Sequence, residues 1–450
     1  MKRMIHLNLS GLICIIAQYI LEWKSSMWPI NTIVSLFLLL SIGLAQGRMN
    51  AFGLGHYYHN QGIRNAADGI TNLTPSFQDN VSLSNPSTWH NLDFTYLSLS
   101  YSGNNNSMSN STLLNGYSSL SNAVWIVPIK SKSSLGISLA PYSDQRISVT
   151  DQDTAVFHAF DDTLNVARSF DRSGGIMSFK VGSSYLLSDV LSLGMTFNIL
   201  FGSARQNEVM NFGGSAVVQS SRMRFYGILN EFFISITLRD NLKAFSSYTY
   251  SMKPLEGVYE EKHLFDDANG NGYHDFYTPY YDFPFPDSVS AEPEVRLENL
   301  HSPIGYHLGL SQFINTRTSI AFEFGVINDD AEISDRVYIP LDNWITRTNT
   351  AHISFSRYPN ALSLNLYDKL SFKFGLTYYN HILNDQTSSI TEVGGSLGLG
   401  FIFKPVGNQI DINYYLGFRE YPDIADAELV QQVQVGISLA DLWFVKRRQK

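Results

Sequence analysis

The chain has 450 residues, 44% of them hydrophobic, 16% charged and 13% aromatic, with a formal charge of −9 and a mean hydropathy of −0.08. A typical soluble domain carries about 25% charged residues, so this surface is poor in charge and rich in Tyr and Phe. The acidic balance excludes a general nucleic-acid binder, which would show a basic stripe. The one cysteine, Cys14, lies in an N-terminal apolar run, which excludes a disulfide framework and thiolate metal sites in the rest of the chain. Composition alone leaves two classes open: a transmembrane barrel, whose apolar outer and polar inner residues average out, and a soluble β-rich secreted domain.

Two apolar runs open the chain, Leu9–Leu21 and Thr32–Ala45. The second has the length and the small-residue end of an export signal, with cleavage expected after Ala45 and a start expected at Met1 or Met27. Two N-terminal transmembrane helices are the alternative. Ile13 before Cys14, where a small residue is expected, disfavours lipidation. Residues 1–45 are thus read as an export region. After Ala45 no apolar run reaches the ~18 residues a membrane helix needs.

Phe52–Trp89 is rich in Gly, Asn, Ser and Asp and has no period of its own. It precedes a series of segments of about ten residues with alternating character, and residues 46–90 are assigned to a hatch in or under a barrel lumen. The first confident strand is Asn91–Ser102; Asn104–Asn115 reads as a loop. Ser134–Ala140, Leu191–Leu200, Gly305–Phe313, Ser319–Val326, Leu370–Tyr379, Val393–Phe403 and Ile410–Phe418 repeat the strand pattern. In Leu370–Tyr379, Phe372, Phe374, Leu376 and Tyr378 share one face, and Lys373, Gly375, Thr377 and Tyr379 the other. Asp411, Asn413, Tyr415 and Arg419 form a similar polar face opposite Ile410, Ile412, Tyr414, Leu416 and Phe418. Tight turns at Ser188-Asp189 and Asn315-Thr316 alternate with longer polar excursions. Such strands describe a transmembrane antiparallel β-barrel of about 14 strands over residues 91–444. The last strand, Val430–Phe444, ends in Trp443-Phe444, and a basic tail follows at 445–450. A barrel in the outer membrane of a Gram-negative type envelope implies membrane lipid and the barrel-assembly machinery as partners.

Gly257–Glu294 reads as the longest stretch without strand character, an acidic loop insert at 257–293. Within it Asp267, Asn269, Asn271 and Asp275 occupy positions 1, 3, 5 and 9 of a calcium-loop pattern, with Gly272 at 6. Position 12 is Thr278 rather than a bidentate Glu, so a structural calcium there would be weakly held; a solvated Asp/Asn/Gly turn is the alternative. No other cofactor is expected. There is no GxSxG elbow, HExxH or P-loop. His56 and His59 beside Tyr57 and Tyr58 read as polar hatch residues, His158 with Asp161 and Asp162 as loop residues, and Pro303 disfavours an in-strand dyad at His301-Ser302. The chain is read as a non-enzyme.

Ala66-Ala67-Asp68-Gly69, then Asn85-Pro86-Ser87 just before the first strand, resembles the FadL-type outer-membrane transporter superfamily, including PorV-like barrels. Members commonly carry Asn-Pro-Ala there, and Ser87 replaces the alanine. The resemblance implies a fourteen-stranded barrel with an N-terminal hatch, through which hydrophobic small molecules such as long-chain fatty acids or aromatic compounds pass. The alternative it implies is a non-transporting, PorV-like barrel that docks partners in secretion or surface attachment.

Overall fold

The computed structural model describes residues 48–58, 73–77, 80–108, 115–130, 132–159, 162–212, 215–266, 269, 275, 277, 279, 281–282, 295–332, 343–360, 362–404, 408–422 and 427–441. The export region, the tail and Trp443-Phe444 lie outside these residues. No helix among them is long and apolar enough to cross a membrane.

A two-residue strand, β1 (His56–Tyr57), precedes the wall. The wall strands follow as β2 (Thr95–Met108), β3 (Asn115–Lys130), β4 (Ser133–Asp144), β5 (Ile147–Ala159), β6 (Asp162–Leu186), β7 (Leu191–Phe212), β8 (Ser215–Arg239) and β9 (Leu242–Asp266). Then come β10 (Val295–His301), β11 (Pro303–Asn315), β12 (Thr318–Asp329), β13 (Ile345–Arg357), β14 (Leu370–Leu383), β15 (Ser389–Lys404), β16 (Asn408–Glu420) and β17 (Glu428–Asp441). β4 and β5 pair successive halves of β6, and β10 and β11 pair successive halves of β9, so each pair is one broken wall strand. The wall therefore has fourteen antiparallel strands, closed where β17 pairs β2 from Glu428↔Met108 to Asp441↔Thr95. Closure at this seam pairs the first and last strand edges, which lipid cannot solvate.

The alternation read in the sequence is the inside–outside code. On β14, Phe374, Leu376 and Tyr378 are exposed, while Ser371, Lys373, Gly375, Thr377 and Tyr379 are buried. On β16, Ile412 and Phe418 are 53% and 55% exposed, whereas Asn413 and Arg419 are 0% and 1%. This inversion of a soluble core, apolar out and polar in, suits a wall that faces acyl chains.

Three loop readings are corrected. His158 lies in β5 and Asp162 opens β6, paired across the hairpin with Thr163 and Ala159 respectively. Asn104, Asn105 and Asn106 are strand residues, because β17 supplies Gln432, Gln431 and Val430 as ladder partners. The stretch from Gly257 to Asp266 continues β9 and pairs with β8, so the insert begins after Asp266. At one end of the barrel the connections are short: Ser188-Asp189 lies within the turn before β7, and Thr316-Arg317 links β11 to β12. By the usual asymmetry of such barrels this end faces the periplasm. At the other end β6 to β9, of 22 to 25 residues, far outrun the wall's other strands. A crossing takes about ten residues, so at ~3.3 Å per residue these strands rise some 40 Å or more further along their length.

Candidate functional site

The N-terminal stretch is seated on inward-facing wall residues at three places. The lowest is the Asn-Pro motif. Asn85 caps the 3-10 turn Pro86–Asn91: its Oδ1 accepts from the Ser87 amide at 3.0 Å and the Ser87 hydroxyl at 2.7 Å. Its Nδ2 donates to the Leu73 carbonyl at 2.7 Å, so one fully buried amide ties two parts of the plug together. Pro86 starts the turn without a donor to satisfy. Gly194 of β7 lies against this turn so closely that a Cβ there would stand 2.4 Å from the Ser87 nitrogen, and Ser192 donates to the Ser87 carbonyl at 2.8 Å. Trp89 fills the space over Gly136 of β4 and Gly182 of β6, with its Nε1 donating to the Ser82 carbonyl at 3.0 Å. Phe77, Val81, Leu83 and Leu92 complete this apolar cluster with Tyr96, Val124 and Ile126 of the wall.

Toward the same short-turn end, where the Tyr358 amide bonds the Arg317 carbonyl of the β11–β12 turn, the wall's own charges also hold the plug. The Glu323 carboxylate accepts from the Thr74 amide and hydroxyl at 2.5 and 2.6 Å, and Lys373 donates to the Ser76 carbonyl. Tyr358 donates to the Pro75 carbonyl at 3.1 Å.

The third place is at the long-strand end. Arg419 bonds Glu392 through Nε at 2.8 Å and Nη2 at 2.7 Å, and Glu428 through Nη1 at 3.1 Å. Tyr415 and Tyr421 donate to the two carboxylates at 2.5 Å each, and the Arg48 amide donates to Glu428 at 3.0 Å. Phe52 stacks on Tyr421 with ring centroids 5.8 Å apart. Tyr421, in the connection after β16, is held far above the usual phenol range by burial and by the Glu428 charge, so it remains a donor.

Beside this plug lies a cavity of about 140 Å³, bordered by Tyr57, Tyr142, Lys180, Glu231, His301, His307 and Asp329 and by the apolar Leu73, Leu229 and Phe233. His301 is its centre. Its Nδ1 meets the Asp329 carboxylate, its Nε2 hydrogen-bonds the Tyr142 hydroxyl at 2.7 Å, and Tyr57 of the plug stacks on its ring at 4.7 Å. Burial, with the Asp329 charge adding to it, pushes the Tyr57 phenol well up, so it stays protonated. This constellation did not show in the sequence, because its members are far apart along the chain. The signal that was present, Pro303 after His301-Ser302, marks the break between β10 and β11 that turns His301 inward.

Of the expected site residues, Asn85, Pro86 and Ser87 sit together on β7. His59 and Asp161 lie outside the described residues, as do Asp267 and Asn271 of the calcium pattern; Asn269 and Asp275 are within them. The Asn269 amide donates to the Asp275 carboxylate at 2.5 Å, and the Asp275 amide donates to the Asp282 carboxylate at 2.8 Å. Among the described residues no cluster of three metal-ligating side chains forms.

Among solved structures, the chain is similar to the CymD monoaromatic hydrocarbon channel, at 11% identity and a TM-score of 0.54, covering 87% of this chain and all of that one. It is similar to a FadL homologue from Pseudomonas aeruginosa, at 12% identity and a TM-score of 0.55 over 86% and 99% of the two chains. A third is the toluene transporter TbuX from Ralstonia pickettii, at 11% identity and a TM-score of 0.51 over 85% and 98%. These likenesses establish the FadL-type barrel fold and, with the closed wall, an outer-membrane location. No curated protein matches the chain. The BamG family model matches residues 30–450, and the chain belongs to the BamG family.

Proposed function

We propose that this protein is a plugged outer-membrane barrel that docks protein partners, and that its partners belong to the barrel-assembly apparatus. One observation carries the reading: the plug is bonded to the wall at three places, and the cavity left beside it measures about 140 Å³. Pockets for drug-sized ligands run from about 300 to 1,000 Å³. A buried Arg with two buried carboxylates at the plug's upper contact is a locking arrangement, since removing the guanidinium leaves both carboxylates buried without their cation. The family name points to barrel assembly, and the tall β6–β9 wall offers a surface beyond the membrane. No catalysis is part of this reading. The test is reconstitution. Vesicles holding the protein should take up a hydrophobic dye no faster than empty ones, and gentle extraction should recover the protein with the barrel-assembly barrel. Accelerated dye uptake with no such association would overturn the reading.

The second reading is passive transport of hydrophobic small molecules. Two observations favour it: among the described residues the wall is unpaired between the upper halves of β3 and β4–β5, and the cavity lies beside that gap. The solved relatives named as hydrocarbon channels support the same direction. Deleting residues 52–78 would raise dye uptake if the plug only fills the lumen, and abolish it if the plug forms the path.

A further inference from the structure

On the outer surface of the tall wall the outward side chains change character at one row. Along β8 the exposed apolar residues run Ile236, Ile234, Phe232 and Tyr226, 37% to 45% exposed. That run is about one membrane crossing long. The next outward residues are Arg224 and Arg222, both exposed, while the intervening Phe225 and Met223 are buried in an apolar cluster on the inner side. β7 changes at the same row: its exposed Phe201 pairs Tyr226, and Arg205 pairs Arg222. On β9, Val258 pairs Arg224 on one side and the exposed Arg296 of β10 on the other. Guanidiniums from β7, β8 and β10 thus share one outward face toward the long-strand end of the barrel.

The spacing follows from the sheet. Arg205 and Arg222 are directly opposed on strands about 4.8 Å apart, Arg224 stands about 7 Å along the strand from Arg222, and Arg296 lies two strands from Arg224, about 10 Å away. Like charges directly opposite each other destabilise a sheet, and this row holds them in a chain whose net charge is −9. The neighbouring acids are Asp171, Glu256, Glu260 and Glu298. Glu256 is taken by Lys253 at 3.0 Å, and that ammonium also lies 4.8 Å over the Tyr226 ring. Glu260 sits opposite Arg222 in the ladder. Among the described residues neither Arg222 nor Arg296 makes a side-chain hydrogen bond or an ion pair.

Acyl chains cover the apolar run, so the group that a lipid carries at the height of the arginine row is its headgroup. Arg meets phosphate through two parallel N–H bonds, and an anion seated between opposed guanidiniums removes their repulsion. We propose that the outward face of β7 to β10 binds phosphate-bearing lipid headgroups of the outer leaflet. Arg222, Arg224 and Arg296 are its phosphate ligands, and the exposed Phe201, Tyr226 and Met252 below them seat the acyl chains. The site lies on the lipid side of the wall, so it is independent of the plug and of both functional readings. The competing occupant is an acidic surface of a protein partner. The place of the row favours lipid: the arginines follow directly on the apolar run, while β8 continues beyond Arg222 to Ser215.

Native mass spectrometry of the full-length protein in mild detergent separates the two. The probes are a bis-phosphorylated lipid A and the same glycolipid with its phosphates removed. Wild type should bind the phosphorylated form at least tenfold more tightly than the dephosphorylated one. A variant combining Arg222→Gln, Arg224→Gln and Arg296→Gln should lose that preference, and Arg347→Gln, at an exposed arginine of β13 outside this face, should keep it. Heat-modified gel migration checks that each barrel is folded. If the triple variant does not fold, Arg222→Gln decides alone, with at least a threefold loss expected from removal of one exposed side chain. Equal affinity for the two glycolipids, or an undiminished preference in the variants, would overturn the proposal. Loss of a co-extracted acidic protein from the variant with lipid binding unchanged would also overturn it, and assign the row to a protein partner.

Discussion

Replacing Asn85 with alanine isolates the contribution of the plug's lowest anchor. The substitution removes two bonds accepted by Oδ1 and one donated by Nδ2, all within 3.0 Å and in a residue with no solvent exposure. A hydrogen bond is worth about 1 kcal/mol net, and a buried group left unpaired costs about 1–3 kcal/mol more. The Ser87 hydroxyl can rotate toward another acceptor, but the Ser87 amide and the Leu73 carbonyl are fixed in the backbone. Loss of a side-chain cap costs about 1 kcal/mol by independent measure. Together these give roughly 3 kcal/mol of local destabilisation, with about 1.4 kcal/mol per tenfold change in an equilibrium. Amides of residues 85–92 should therefore exchange roughly a hundredfold faster in the variant, while β14 to β16 remain unchanged. Exchange that rises less than threefold would refute the claim that this amide anchors the plug.

The remaining expectations concern other contacts. Gly194→Ala should shift the same turn, because the new Cβ would stand 2.4 Å from the Ser87 nitrogen; a crystal structure or plug exchange indistinguishable from wild type would contradict this. Arg419→Met leaves Glu392 and Glu428 buried without their cation and should cost about 3–5 kcal/mol, read as a lower denaturation midpoint in lipid. His90, outside the wall strands, has its pKa lowered mainly by burial, against a raising contribution from the Ser87 carbonyl. Its contribution is present above the unfolded value near 6.5 and lost as pH falls from there through the folded value. Plug exchange should thus rise on acidification, and His90→Gln should flatten that dependence. Calcium titration should release or absorb heat in wild type and not in Asp275→Ala if the 267–278 loop is a cation site; equal traces would reduce it to a turn.

The fold was legible because a barrel wall writes itself locally. Side chains alternate with the pleat, so Phe374, Leu376 and Tyr378 declared an outer face and Thr377 and Tyr379 an inner one without reference to any other strand. Asn85-Pro86 was legible for a similar reason, since cap and φ restriction act within one turn. Local chemistry misled where a neighbour outweighed it: three consecutive asparagines favour a turn, yet β17 offers them a ladder. The same holds for Gly257–Asp266 beside β8.

What no local reading reached is the set of contacts that seat the plug. Tyr57, Tyr142, His301 and Asp329 come from the plug, β4, β10 and β12, and Arg48 meets Glu428 across 380 residues of chain. The sequence by itself determined which residues face lipid and which face inward, because that is a two-residue period of the backbone. Which inward residues meet was decided only by tertiary structure, because barrel closure and strand register set the partners across the lumen.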